Sequence, residues 1–358
     1  MPSLRGLARS VERRWKGLQL ETPKNLFVFL TNSCHLHCEH CFYHYELDKP
    51  TVEISTADLA GLAGSLSRPT FMCLTGGEVM LRRDMPEVAR VLGESGRVEH
   101  INVCTSGYHT DRIEAFARSV LDAGWFRLVG FQISLDGVEE THNTVRKNPQ
   151  SFRRAVETLE MLTKLAERYP ALYVSSLMVV TRRNRGEVIG VLNDMERRRI
   201  PHSFSFLRTN QDVFQLDPAI ASGFDVREPD TTIGLSLDEW EETVREIQKT
   251  KAARGYENPG RLSFRTYRVQ IDTLRQERRM IPCYAGIDDG VIFPNGDVAV
   301  CETTKPFANL REFDFDLGRL WNSAAAEEMR SRTKCCACTQ ACNIIDSLNT
   351  NPELYGGE

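Results

Sequence analysis

The chain has 358 residues, 41% of them apolar and 26% charged, with a net charge of −4. This composition is ordinary for a soluble globular protein, and so small an acidic excess gives no electrostatic argument for a nucleic-acid partner. No apolar run approaches the roughly 20 residues of a membrane-spanning helix, and the N-terminus lacks the apolar core of an export signal, so a cytoplasmic location is expected.

Residues 1–22 are basic and amphipathic. Leu4, Leu7, Ala8, Val11, Trp15 and Leu18 recur at helical spacing with Arg5, Arg9, Arg13, Arg14 and Lys16 between them. The spacing predicts a helix packed on the body of the protein, or a surface helix making peripheral membrane contact.

From Leu26 onward, short apolar runs alternate with longer helical patterns. Strands are expected at 26–31, 71–75, 100–105, 129–135, 173–180 and 203–208. Helices are expected at 56–66, 84–94, 110–122, 151–168, 185–198 and 237–253, with Ser55 or Thr56, Asp84 and Ser236 as caps. Such alternation implies parallel strands joined by crossovers. The fold class is therefore α/β, a partial (β/α)6 barrel of TIM type, whose active site belongs at the C-terminal ends of the strands. The expected division is an N-terminal helix at 1–24, the barrel at 25–236, a bridging helical region at 237–282 and a small cysteine-rich α+β extension at 283–358. In that extension GVIFPNGDVAV, residues 290–300, reads as a hairpin turning at Asn295-Gly296.

Eleven cysteines are many for a chain with no export signal, and they cluster, which favours metal ligation over disulfides. Cys34, Cys38 and Cys41 lie in TNSCHLHCEHCFYHY, directly after the first apolar run. Three thiolates this close suit one metal ion or one polynuclear centre. On a cubane iron–sulfur cluster they leave one iron without a protein ligand, which is what a substrate-binding cluster needs. Zinc is the alternative, because His35, His37, His40 and His44 stand among the cysteines.

The C-x3-C-x2-C loop after a strand, followed by Thr75-Gly76-Gly77-Glu78 at the next strand end, resembles the radical S-adenosylmethionine (radical SAM) superfamily over roughly residues 25–210. The resemblance implies a [4Fe-4S] cluster held by Cys34, Cys38 and Cys41, with S-adenosyl-L-methionine chelated to its open iron and reductively cleaved to a 5′-deoxyadenosyl radical that takes a hydrogen atom from substrate. Carried over by position, it implies cofactor-binding roles for several residues. His40, or Phe42, flanks the adenine. Gly76 and Gly77 give close backbone approach, and Glu78 with nearby carbonyls accepts from the methionyl ammonium. Ser106 contacts the methionyl or ribose part, and Ser134 and Asp136 lie on the ribose or substrate side. Arg146 pairs with the methionyl carboxylate. Met178 lies against the adenine or simply fills the core. Cys73 and Cys104 are read as buried, small apolar groups.

Cys283, then Gly296 and Cys301 at their spacing, resemble the opening of the SPASM extension or its shorter twitch form. This implies an auxiliary [4Fe-4S] cluster with Cys283 and Cys301 as ligands. Two further ligands come from Cys336, Cys338 and Cys342, with Cys335 in reserve, and a structural zinc site is the alternative. The expected function is therefore a radical SAM oxidoreductase that oxidises, or forms a bond in, an unidentified small-molecule or peptide substrate, with a reductant such as flavodoxin or ferredoxin. Two alternatives stand beside it: a peptide maturase using a separate leader-binding partner, and a non-catalytic metal-binding scaffold. With about 25 residues before the first strand, no leader-binding domain is expected there, which weighs against a peptide substrate without excluding it. Arg208, Asn210, Tyr43, Tyr45 and Glu302 are substrate-side candidates. None of these residues identifies the substrate.

Overall fold

The computed structural model describes residues 20–207, 213–221, 233–253 and 262–356. Most of the expected N-terminal helix, and the candidates Arg208 and Asn210, lie outside them. Six parallel strands form the body: β1 (Asn25–Phe29), β2 (Thr70–Thr75), β3 (Val98–Thr105), β4 (Leu128–Ser134), β5 (Leu172–Val180) and β6 (His202–Phe206). The helices between them are α1 (Thr56–Gly64), α2 (Met85–Glu94), α3 (Thr110–Ala123), α4 (Glu139–Arg146), α5 (Ser151–Ala166) and α6 (Val188–Arg197). A short strand β7 (Val213–Phe214) and two helices, α7 (Leu237–Ala252) and α8 (Leu262–Gln276), follow. The remaining elements are β8 (Asp289–Ile292), β9 (Asp297–Ala299), β10 (Ala308–Asn309), α9 (Leu317–Trp321), α10 (Ala324–Arg332), β11 (Ala337–Cys338) and α11 (Ala341–Thr350).

The sheet order is β10-β9-β8-β1-β2-β3-β4-β5-β6, an open α/β sheet that curves as a partial barrel without closing. Alternation along the strands sets its two faces. Leu26, Val28, Met72, Leu74, Ile101 and Val103 join the main core beneath the helices. The residues between them, Phe27, Cys73, Asn102 and Cys104 among them, point to the inner face.

The caps follow the local chemistry. Ser55 and Ser236 each form a complete capping box, with Asp58 and Glu239. Asp84 stands at the N-cap of α2 without a capping bond, because Arg82 holds its carboxylate from Nε at 2.9 Å and Nη2 at 2.6 Å.

The hairpin of the C-terminal extension is part of the barrel sheet. β8 runs parallel to β1, with Asn25 opposite Asp289 and Val28 opposite Ile292. Asn295-Gly296 makes its turn, with Gly296 at φ +91°, and β9 returns antiparallel. Cys301 therefore comes back to the level of Asp289, the N-terminal end of β1. The loop of Cys34, Cys38 and Cys41 leaves the opposite, C-terminal end of that strand. β11 pairs with β7 and carries Cys338.

Candidate functional site

The three-cysteine loop is held by backbone. Leu30 N donates to Thr75 O at 2.8 Å, Gly77 N to Thr31 O at 2.8 Å and Glu78 N to Ser33 O at 2.8 Å. The contact requires both glycines. A Cβ on Gly76, whose φ is +140°, would lie 2.5 Å from Thr31 O, and one on Gly77 would lie 2.2 Å from Ser33 O. The close approach read from Gly76-Gly77 is therefore made by the cysteine loop itself. On its far side Thr31 Oγ1 donates to Glu53 Oε1 at 2.5 Å, and Tyr43 Oη donates to Asn32 Oδ1 at 2.6 Å. Tyr43 is buried against Phe29, so it anchors the loop rather than facing the mouth; Tyr45 is exposed.

Glu78 is buried and accepts four bonds. Oε1 takes Thr105 Oγ1 (2.6 Å) and Met80 N (3.1 Å); Oε2 takes Ser106 Oγ (2.6 Å) and Ser106 N (2.9 Å). The carboxylate ties the end of β2 to the end of β3 and brings Ser106 to the Gly-Gly turn. Ser134 is half-buried at the end of β4.

A second network supports the middle cysteine. Asp136 is fully buried. Its Oδ2 accepts from Arg146 Nε at 2.6 Å, with Arg146 Nη2 at 2.5 Å, and its Oδ1 accepts from Val179 N at 3.0 Å. The third guanidinium nitrogen, Nη1, donates to Cys38 Sγ at 3.4 Å. His40 Nε2 stands 3.8 Å from Asp136 Oδ2. Burial acts to raise the Asp136 pKa, but Arg146, with His40 and His142, holds it down at about 2. Burial lowers His142 to about 3, so it is neutral; its Nδ1 accepts from Asp136 N at 3.0 Å. The structure thus unites His40, Asp136, Arg146 and Cys38, with Arg146 directed to Asp136 and sulfur. Phe42 packs on Phe29 at 6.2 Å, and Met178 is wholly in the core.

Burial pushes Cys34 up to about 12, and the neighbouring Cys38 and Cys41 add to the rise, so the three sulfurs lie within electrostatic reach. Among the described residues no three His, Cys, Asp or Glu side chains converge tightly enough to hold a single metal ion. An all-thiol set with an arginine aimed at one sulfur fits an iron–sulfur cluster, whose potential depends on hydrogen bonds to its sulfurs.

A second nest lies at the other end of β1. Burial pushes Cys283 up to about 12 and Cys301 to about 11, and Cys338 is driven well above the ordinary thiol value; Cys336 adds to all three shifts. Cys335 and Cys342 are exposed. Arg279 Nη2 donates to Cys336 Sγ at 3.3 Å. Sequence reasoning passed over Arg279, although its place four residues before Cys283 was a signal. It also passed over Glu53 and Asn32, for which no motif pointed the way.

Cys73 is buried in the core, as expected, and Cys104 is half-buried. Their sulfurs are 3.5 Å apart on the inner face, with Asn102 Nδ2 at 3.9 and 3.5 Å and Gln132 Oε1 3.7 Å from Cys104. Gly130 makes room, since a Cβ there would sit 2.4 Å from Asn102 Oδ1. Glu302 adds to the upward shift of Cys73, placing that carboxylate within electrostatic reach of the inner face.

Residues 28–195 match the family model described as the Radical SAM superfamily. Among characterised proteins, the chain is similar to the Fe-coproporphyrin III synthase of Methanosarcina barkeri, 26% identical over 48% of this chain and 41% of that protein. It is also similar to the PqqA peptide cyclase of Granulibacter bethesdensis, 34% identical over 29% of this chain and 28% of that protein. The chain thus spans less than half the length of either relative. The fold matches the solved structure of native anSMEcpe with bound AdoMet at a TM-score of 0.60 and 17% identity, over 86% of this chain and 82% of that one. The matched span takes in the cysteine loop, the Gly-Gly-Glu end of β2 and the Asp136–Arg146 network, and residues 28–195 are a Radical SAM domain.

Proposed function

We propose that this protein is a radical SAM enzyme with an auxiliary iron–sulfur cluster, acting on a substrate held inside the partial barrel between two cysteine nests. The observation that carries the reading is the placement of those nests. One leaves the C-terminal end of β1, and the other gathers at the N-terminal end of the same strand. Five residues at about 3.3 Å each separate the two ends by roughly 17 Å. The inner face between them presents Asn102, Gln132 and two thiols, groups suited to a polar substrate.

In this reading Cys34, Cys38 and Cys41 hold a [4Fe-4S] cluster, and Cys283, Cys301, Cys336 and Cys338 hold a second. Cys336 and Cys338 complete the set because they share an inward electrostatic neighbourhood with Cys283 and Cys301. When bound, the first cluster supplies the electron that cleaves S-adenosylmethionine to the 5′-deoxyadenosyl radical. The chain's own residues orient and shield. Gly76 and Gly77 dock the loop on β2, Glu78 places Ser106 beside it, and Asp136 aims Arg146 at Cys38. His40 and Phe42 remain the adenine-side candidates, and Ser134 a ribose-side one. A peptide is one candidate substrate, because one relative carries the name of a peptide cyclase; a porphyrin-like small molecule draws on the other.

The test is anaerobic reconstitution with iron and sulfide, then dithionite and S-adenosylmethionine. Wild-type protein should bind about eight irons per chain and release 5′-deoxyadenosine, while Cys34/Cys38/Cys41→Ala protein should keep about four irons and release none. Full iron loading without 5′-deoxyadenosine would leave only a metal-binding scaffold.

A further inference from the structure

Arg279 is anchored by two backbone carbonyls and reaches one thiol sulfur. Its Nε donates to Cys336 O at 2.6 Å and its Nη2 to Thr333 O at 3.0 Å, and the same Nη2 reaches Cys336 Sγ at 3.3 Å. Among the described residues it forms no ion pair with a carboxylate. Arg146, the arginine at the other nest, differs in this respect, because buried Asp136 neutralises it before it reaches Cys38. Four neutral thiols give a half-buried guanidinium no counter-charge, and burying such a charge unpaired is costly. Four thiolates around a cluster supply one. A cluster gains a unit of negative charge on reduction, so a fixed, unneutralised cation beside it favours the reduced form, and a donor to a ligand sulfur acts in the same direction.

We propose that Arg279 is the counter-charge and sulfur-directed donor of the C-terminal nest, and that it makes the cluster there the more oxidising of the two. The inference rests on the auxiliary-cluster reading above. Arg279 acts through the sulfurs and is a positioning residue rather than a catalytic one. The asymmetry between the two arginines gives electron flow a direction, toward the C-terminal nest and away from the cysteine loop.

The experiment uses the full chain carrying Cys34/Cys38/Cys41→Ala, so that only the second nest can load. Iron is counted, and the reduction potential is read by electron paramagnetic resonance during a redox titration. Arg279→Met and Arg279→Gln should keep about four irons, as a single four-iron cluster requires, and shift the potential to more negative values. Arg279→Lys, which keeps the charge, should shift it less. The intact protein should show two potentials, the higher one matching the triple variant. An unchanged potential in loaded Arg279→Met protein overturns the inference and leaves the auxiliary cluster standing. So does loss of iron from all three Arg279 variants, which would make the residue a part the nest needs in order to fold. Absence of iron from the triple variant with Arg279 intact removes the auxiliary cluster itself.

Discussion

At the scale of single residues, the candidate site depends on contacts too short for a methyl group. Gly77 is the sharpest case. A Cβ 2.2 Å from Ser33 O meets backbone, which cannot swing aside as a flexible side chain could. Gly77→Ala should therefore push the cysteine loop off the end of β2, cost about 1–3 kcal/mol of stability and reduce iron loading at Cys34, Cys38 and Cys41. Denaturant melts and iron analysis of the variant would show both effects; unchanged loading would mean that the loop does not need this docking. Glu78 gives a second prediction. Its two oxygens accept from two hydroxyls and two backbone N–H groups, whereas glutamine brings an NH2 group to a site already full of donors. Glu78→Gln should lose about 1–3 kcal/mol and weaken S-adenosylmethionine binding, measured by calorimetry on reconstituted protein. A glutamine variant that melts and binds like the wild type would show that the β2–β3 tie is dispensable.

At the scale of elements, the parallel strands and most helices were legible because their apolar periodicity is strong and their Ser caps carry the right partner three residues on. Glu139–Arg146 was not seen as a helix. Seven of its eight residues are polar, and its buried face is built from His142, Val145 and Arg146, of which only Val145 is apolar. The pairing of β8 with β1 was not legible either, since nothing local in Asp289–Ile292 names its partner. That seam is polar and buried at its lower end. Asp289 accepts from Asn25 Nδ2 at 2.8 Å and Asn343 Nδ2 at 2.9 Å, and Lys24 Nζ reaches Asp346 at 2.8 Å. Burial, then the nearby Asp346 carboxylate, raises the Asp289 pKa from 3.8 to about 7. The folded state therefore holds a proton that the unfolded chain releases near pH 4. The stability from this group is complete below that pH and drains away as pH rises toward 7, by about 1.4 kcal/mol for each unit of elevation. Asp289→Asn should remove that part of the decline between pH 4 and 7, seen by comparing denaturant midpoints across the range. Parallel curves for the two proteins would show that Asp289 is ionised in the fold.

At the scale of the whole molecule, the C-terminal residues behave as part of the barrel. β8 covers the edge of β1. Trp321 is fully buried and lies against Gly290, where a Cβ would come within 3.0 Å of its ring. Arg330 Nη1 donates to Trp321 O at 2.9 Å, and Arg68 Nη2 joins the loop before β2 to Asp288 at 2.8 Å. The boundary expected at 283 rests on the cysteine spacing, which marks where ligands start. The main core takes in residues from both the barrel strands and the C-terminal part, which predicts one unfolding event. Trp321→Ala, which removes a large side chain from the seam, should cost about 3–5 kcal/mol and lower the midpoint seen by far-ultraviolet circular dichroism as much as that seen by probes of the C-terminal nest. A chain ending at residue 282 should expose the β1 edge, an open template for strand pairing, and should aggregate instead of folding with the native barrel signal. Light scattering and circular dichroism on that truncation decide the matter. A monodisperse, cooperatively melting 1–282 fragment would show that the barrel stands alone and that the seam is an interface between two units.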